Sequence, residues 1–548
     1  MSHSSASRSW ARGAVIYQIY PRSFADANGD GVGDLAGICA RLDYVADLGV
    51  DAIWLSPFYR SPMADGGYDV ADYRDVDPMF GTLADFDTLL AAAHRHGLKV
   101  IIDLVPNHTS DQHPWFQQAL ADGPGSPARR RYLVRDHRDG EPPNNLQSVF
   151  GGPAWTAVDR QSYLHLFAAE QPDLNWEHPQ VRAEFASALQ FWLDRGVDGI
   201  RIDVADALVK PPGLPDTDGD PYGEGGQVRY RDLDGVHEIY RYWRSILDGY
   251  EPTRIAVAEA WTPSPPRLAN YVRPDELHQA FNFRFLATPW DATAYRNVID
   301  VSLTTMNAVG APTTWVLSNH DVVRHASRLG RLAGTTAGVP GGIGVAEPPI
   351  DPVLGLARAR AATLMMLALP GSAYLYQGEE LGLPEVLDLP DEVRQDPTFA
   401  RTGGQRRGRD GCRVPLPWSG TTAPYGFCPD GVSPWLPQPA GWAGKTVAAQ
   451  SGDPTSTLEL YRAALRQRRQ LRLGLGTLRW LDQPAAGVLA FARPGLPRQS
   501  ELVCTTNCGS QPVRLPTRYG EPLLASDDHD GGVWLPANCT VWWLSADR

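Results

Sequence analysis

The chain has 548 residues, more than one ordinary domain needs, and its 43% hydrophobic and 21% charged content excludes a disordered or fibrous protein. A formal net charge of −13 argues against nucleic-acid and anionic-membrane partners, which are gripped by clustered Lys and Arg. No run of about 18 apolar residues occurs and no secretory-type apolar stretch follows Met1, so a cytoplasmic protein without a membrane partner is expected.

Along the chain, short apolar β-rich runs alternate with amphipathic helical segments, the pattern of repeated βα units around a parallel sheet. The runs cover residues 14–20, 52–56, 99–104, 199–203, 255–259, 280–285, 313–317 and 372–376, and eight units predict an α/β protein built on a closed (β/α)8 TIM barrel. Segments 83–96, 180–195 and 456–470 read as outer helices, with apolar residues every three or four positions. The connection after the third run is far longer than one helix needs, which predicts a small protruding domain over residues 105–174. From residue 474 to 548 short strands and turns predict a C-terminal antiparallel β-sandwich domain, so the barrel takes residues 1–104 and 175–473.

Within the long connection at 379–451, the basic stretch from Arg401 to Arg409 reads as a loop, with an anion site as the alternative, and Trp418, Trp435 and Trp442 read either as a pocket wall or as loop packing. Six cysteines in so long a chain make no disulfide framework, and free thiols are expected.

Active sites of such barrels lie at the C-terminal strand ends, so polar residues interrupting apolar runs there are the candidates. They are Asp103 to His108 after the third run, Arg201 and Asp203 in the fourth, Glu259 ending the fifth, and Asn319-His320-Asp321 after the seventh. A carboxylate in an apolar strand costs several kcal/mol to desolvate, so each needs a compensating cation or a chemical use. Arg201 stands two residues before Asp203, shares its face of the strand and is expected to hold it ionised. After the first run, Asp26, Asn28, Asp30, Val32 and Asp34 alternate with Gly, a spacing that suits a hard cation such as Ca²⁺. Gly37 at the twelfth position sets the loop apart from an EF-hand, and a water-filled Asx turn is the competing reading.

These residues resemble glycoside hydrolase family 13, the α-amylase family, and in particular its α-glucosidase and oligo-1,6-glucosidase branch. Asp103-Leu-Val-Pro-Asn-His108, Gly199-Ile-Arg-Ile-Asp203, Glu259-Ala-Trp261 and Asn319-His-Asp321 look like the four ordered signatures of that family, and Gln171-Pro-Asp-Leu-Asn175 is similar to the segment marking the branch. The resemblance implies a retaining glycosidase with Asp203 as nucleophile, Glu259 as general acid/base and Asp321 as a transition-state-stabilising carboxylate. It implies that Arg201, His108 and His320 bind hydroxyls or the nucleophile, and that Asp65 and Arg413 grip the far side of a terminal glucose. Tyr68 would stack under that ring, and Phe167 would either form pocket wall or pack the core. The same resemblance implies structural calcium on Asp26, Asn28, Asp30, the Val32 carbonyl and Asp34. Val204 is similar to the residue of α-1,6-preferring members, whereas Ile200 and Arg413-Val-Pro-Leu-Pro-Trp418 depart from the usual pattern. The expected substrates are maltose and short malto-oligosaccharides, with isomaltose hydrolysis and glucosyl transfer or sucrose- or trehalose-directed action as alternatives.

Overall fold

The computed structural model describes residues 10–136, 141–217, 230–331, 344, 349–494, 500–516 and 519–545. Eight strands form one parallel sheet: β1 (Val15–Ile19), β2 (Ala52–Leu55), β3 (Lys99–Leu104), β4 (Gly199–Ile202), β5 (Ile255–Ala258), β6 (Gln279–Ala280), β7 (Thr314–Val316) and β8 (Ser372–Tyr376). Backbone ladders run β7-β8-β1-β2-β3-β4-β5-β6, and between β6 and β7 the Thr314 hydroxyl donates to the Ala280 carbonyl. This is the (β/α)8 barrel expected from the eight runs.

One expected strand is largely replaced. Of residues 280–285 only the start is extended, because the Asn282 side chain accepts from the Phe285 amide and caps a short helix over Phe283–Leu286. The outer helices follow their patterns. Leu83–Arg95 opens with a Thr82/Asp85 capping box, and Pro179–Asp194 buries Val181, Phe185, Leu189 and Trp192 on one stripe.

Strand alternation sorts the core into two layers. Ile16, Trp54, Ile101, Val257, Val316 and Tyr374 point into the barrel, while Tyr17, Ile53, Ile102, Ala256, Trp315 and Ala373 face the surrounding helices. Gly199 takes an inward position of β4, where an added Cβ would come within 2.8 Å of Ile255 and 3.1 Å of Ile101. Two residues further along the same inward faces stand Gln18, Asp103, Arg201 and Glu259, so the alternation that packs the interior also delivers polar groups to its C-terminal mouth.

Between β3 and β4 lies a three-stranded antiparallel sheet with Gln161–Leu164 in the centre. After the helix Thr457–Gln470 comes a five-stranded antiparallel sheet and a smaller two-stranded antiparallel sheet of Val513–Arg514 with Trp534–Leu535. Leu489, Phe491 and Trp542 on one face of the larger sheet join the barrel core, and Val488, Ala492, Val503 and Trp543 on the other pack with Leu515 and Leu535. All six cysteines are free, and among the described residues no helix is long and apolar enough to cross a membrane.

Candidate active site

At the barrel mouth a single guanidinium organises three carboxylates. Arg201 is 1% exposed, and its Nη1 donates to Asp103 Oδ1 at 2.6 Å and Asp203 Oδ1 at 2.5 Å while Nη2 donates to Glu259 Oε2 at 2.8 Å. Trp54 Nε1 and the Tyr68 hydroxyl complete Asp103 at 3.0 and 3.2 Å. One cation cannot neutralise two buried acids and a third that is partly buried. Burial, resisted by Arg201, raises the Asp103 carboxyl to about 6. Burial and the carboxylates of Glu259, Asp103 and Asp321 push Asp203 well above its ordinary range against the pull of Arg201. Arg201 pairs with Asp203 as expected, and the same guanidinium is also shared with Asp103 and Glu259.

Behind the Asp203 carboxyl the backbone turns sharply. Val204 has φ +45°, a strained conformation for a β-branched residue, and this turn directs its N–H to Glu259 Oε2 at 3.1 Å and the next amide, of Ala205, to the Glu259 carbonyl at 2.8 Å.

The opposite wall is built from charge pairs. Arg409 Nη2 donates to Asp65 Oδ1 at 2.5 Å and its Nη1 to Asp321 Oδ1 at 2.9 Å. Arg413 Nη2 reaches the same Asp321 oxygen at 3.1 Å, and His320 Nε2 lies 3.2 Å from Asp321 Oδ2. Burial alone would raise Asp321, but the guanidinium groups of Arg409 and Arg413 outweigh it and hold the carboxyl below the ordinary range. His320 is sandwiched between Tyr68 (ring centroids 5.1 Å apart) and Tyr20 (5.9 Å), and burial keeps it neutral well below its usual pKa.

These groups surround a cavity of about 760 Å³, its open mouth included. Asp65, Tyr68, His108, Phe167, Asp203, Glu259 and Asp321 all line it. Arg201, His320 and Arg413 stand one layer back. Arg413 donates to the His320 carbonyl at 2.9 Å and braces Asp321, so the guanidinium facing the pocket beside Asp65 belongs to Arg409, at the end of the basic loop. Trp418, Trp435 and Trp442 do not line the cavity: the first donates to the Phe24 carbonyl, the second to Ser23 Oγ, and the third is buried. The aromatic wall comes instead from Phe150, Phe167 and Trp261, the last stacked on Phe283 at 4.2 Å. The Trp261 signal was present in Glu259-Ala-Trp261, where an alternate residue past the strand end must face the mouth.

A buried lysine that no motif marked ties this mouth to the segment that returns from the three-stranded sheet. Lys210 Nζ donates to Asn107 Oδ1 at 2.7 Å and pairs with Asp173 Oδ2 at 2.9 Å, while Asn107 Nδ2 bridges Asp173 Oδ1 and His108 Nδ1, each at 3.1 Å. Burial lowers the Lys210 pKa. Lys210→Met is expected to leave Asp173 an uncompensated buried charge and to cost about 3–5 kcal/mol in urea unfolding, whereas a cost under about 1 kcal/mol would mean the ion pair is idle.

In the loop at 26–34, Asp26 accepts the amides of Gly29 and Gly31 at 2.6 and 2.8 Å, Asn28 Oδ1 that of Asp30 at 2.9 Å, and Asp30 Oδ1 that of Val32 at 2.9 Å. Asp34 caps the following helix through Gly37 N and takes the amides of Ala27 and Asn28. The loop is therefore pre-folded by Asx turns, and the accepting oxygens of Asp26, Asn28 and Asp30 each keep a second lone pair, whereas Asp34 Oδ2 already takes two amides. Among the described residues no group of three or more His, Cys, Asp or Glu side chains gathers as a metal site, so a cation here would rely on Asn28 and the Val32 carbonyl as well as the acids.

Residues 18–474 match the model of the alpha amylase catalytic domain. A probable alpha-glucosidase of Rhizobium meliloti (strain 1021) is 38% identical, with 97% of this chain and 96% of that protein covered. An oligo-1,6-glucosidase of Parageobacillus thermoglucosidasius is 35% identical over 84% of each chain. The crystal structure of the alpha-glucosyl transfer enzyme XgtA superposes with a TM-score of 0.86 at 37% identity, covering 98% of this chain and 99% of that one. With an Asp203–Glu259 pair at the mouth of such a barrel, the chain belongs to the α-amylase family, glycoside hydrolase family 13, in its α-glucosidase branch.

Proposed function

We propose that the protein is a retaining, exo-acting α-glucosidase that releases terminal α-linked glucose from maltose and short malto-oligosaccharides. The observation that supports this reading is the charged wall: the Arg409–Asp65 pair at 2.5 Å stands beside Asp321 in the pocket lining, a barrier that suits a chain end better than a chain running through. Asp203 and Glu259 sit on the two terminal nitrogens of one guanidinium, which suits the roughly 5 Å separation of a nucleophile and acid/base pair.

In this mechanism Asp203 attacks the anomeric carbon while Glu259 protonates the leaving oxygen, giving a glucosyl ester on Asp203. Glu259, now a carboxylate, takes a proton from water as it attacks the same carbon, and the configuration is retained. Asp321, held ionised by its two arginines, accepts from sugar hydroxyls and favours the positively charged transition state over the ground state. Val204 and Trp261 would face the leaving sugar.

That apolar leaving side also favours a second reading, glucosyl transfer to a sugar acceptor, because it disfavours water at the ester. Chromatography of products from maltose, isomaltose, sucrose and trehalose, beside an Asp203→Ala control, separates these. Fastest glucose release from maltose with a dead control supports the α-1,4 reading. Faster release from isomaltose makes Val204 the better guide, and isomerised or transferred products alone overturn hydrolysis.

The 26–34 loop is proposed to hold Ca²⁺ as a structural ion, supported by its alternating oxygens and pre-formed Asx turns. Exhaustive chelation is then expected to lower Tm by several degrees, with recovery on adding Ca²⁺ but not Mg²⁺. An unchanged Tm would leave the loop as a self-satisfied turn.

A further inference from the structure

We infer that Asp396 is a positioning residue for Arg409, a role that rests on the proposed placement of Arg409 against the terminal glucose. Asp396 is 3% exposed and does not line the pocket, so it cannot touch substrate. Its Oδ2 accepts both the Arg409 Nε–H and the Arg409 backbone amide, the latter at 3.0 Å, and its Oδ1 accepts the Thr398 amide at 2.7 Å. The guanidinium is planar, so fixing its Nε edge fixes where Nη1 and Nη2 point. With Asp396 on that edge, the two terminal nitrogens span Asp321 and Asp65, and the plane lies 4.9 Å over Phe150.

The two chain segments hold each other reciprocally. Asp410 Oδ2 accepts the amides of Gln395 and Asp396 at 2.9 and 3.1 Å, so each segment satisfies the backbone of the other with one buried carboxylate. Gly408 makes this approach possible: its φ is +71°, and an added Cβ would stand 2.6 Å from Asp396 Cβ. Burial works against a charge on Asp396, yet Arg409 and Arg413 overcome it and hold its carboxyl at about 2. Without this third carboxylate, the attraction of Asp65 and Asp321 alone would leave the guanidinium free to swing about its Nε bond.

Arg409 touches the sugar in this scheme and Asp396 acts only through it, so their effects must be coupled. The test is a double-mutant cycle on the full chain, reading kcat/KM for p-nitrophenyl α-D-glucopyranoside with Asp396→Asn, Arg409→Ala and the pair. Asp396→Asn keeps an acceptor for Thr398 and is expected to lose about ten- to a hundredfold, and less than about twofold in the Arg409→Ala background. Gly408→Ala, which displaces the same carboxylate without changing a charge, enters the cycle as a second variant should Asp396→Asn not fold, with the same pattern expected. A side chain that merely holds the loop together would lower Tm and add its cost on top of Arg409→Ala. An Asp396→Asn activity within twofold of the parent, or a cost undiminished in the Arg409→Ala background, overturns the inference alone. A harmless Arg409→Ala overturns the placement of Arg409 and the inference with it.

Discussion

Asp203→Asn is expected to lower kcat/KM on maltose by about 10⁴-fold or more, roughly 5.5 kcal/mol of transition-state stabilisation, because it removes the only carboxylate placed to form the glucosyl ester. The same change is expected to leave Tm at neutral pH unchanged or raised. Burial and neighbouring acids raise the folded-state pKa of Asp203 above its unfolded value. A group shifted in that direction contributes stability while protonated, and the contribution is lost as pH rises through the folded pKa. Above that folded pKa the parent carries an ionised carboxylate that the fold disfavours, below it a neutral acid that the amide resembles, and in either case Arg201 still has Asp103 and Glu259 when the amide replaces it. The shift also places the acid limb of kcat/KM above the ordinary carboxylate value of about 4, since activity requires ionised Asp203 and must fall as pH drops through its pKa. A variant that is both inactive and strongly destabilised would count against this account, as would an acid limb at the ordinary value.

The barrel and its acids were legible because one rule governs both. Strand alternation turns every second residue inward, so the apolar residues Ile101 and Val257 and the polar residues Asp103 and Glu259 that follow them are read from one pattern. That rule stops where the strands stop. Sixth-strand residues 280–285 look β-rich through Phe281, Phe283 and Phe285, yet Asn282 satisfies a helix start, and capping outweighs propensity over so short a stretch. Arg409 was illegible for a related reason. Its position depends on Asp396, Gly408 and Asp410 meeting across a long loop, a contact that no periodicity encodes, whereas Arg413 lay in a recognisable segment and drew the assignment. Lys210 was hidden likewise, since the acid it compensates is Asp173 in the protruding sheet's return segment. For the loop tryptophans, which composition leaves open between sugar wall and loop packing, the structure shows packing: Trp418 and Trp435 spend their indole N–H groups on Phe24 and Ser23, and Trp442 is buried.

Glu259→Gln is expected to separate the two chemical steps. Glu259 Oε2 is held by Arg201 Nη2 and the Val204 amide, and among the described residues no donor reaches Oε1, which is the atom left to face the pocket. The amide oxygen of a glutamine can take over the Oε2 bonds, so the site keeps its shape and loses only its proton donor and acceptor. On maltose, whose leaving group is a sugar hydroxyl that must be protonated, kcat/KM should fall by about 10³- to 10⁴-fold. On p-nitrophenyl α-glucoside, whose phenolate leaves unaided, kcat/KM should fall by no more than about tenfold, since the first step no longer needs an acid. Hydrolysis of the glucosyl ester still needs a base, so turnover should slow after a burst of one nitrophenol per enzyme, and azide, which attacks without base assistance, should restore it. Equal losses on both substrates would mean that Glu259 does not donate to the leaving oxygen. A missing burst with azide-insensitive turnover would argue against a covalent intermediate, and with it against retention.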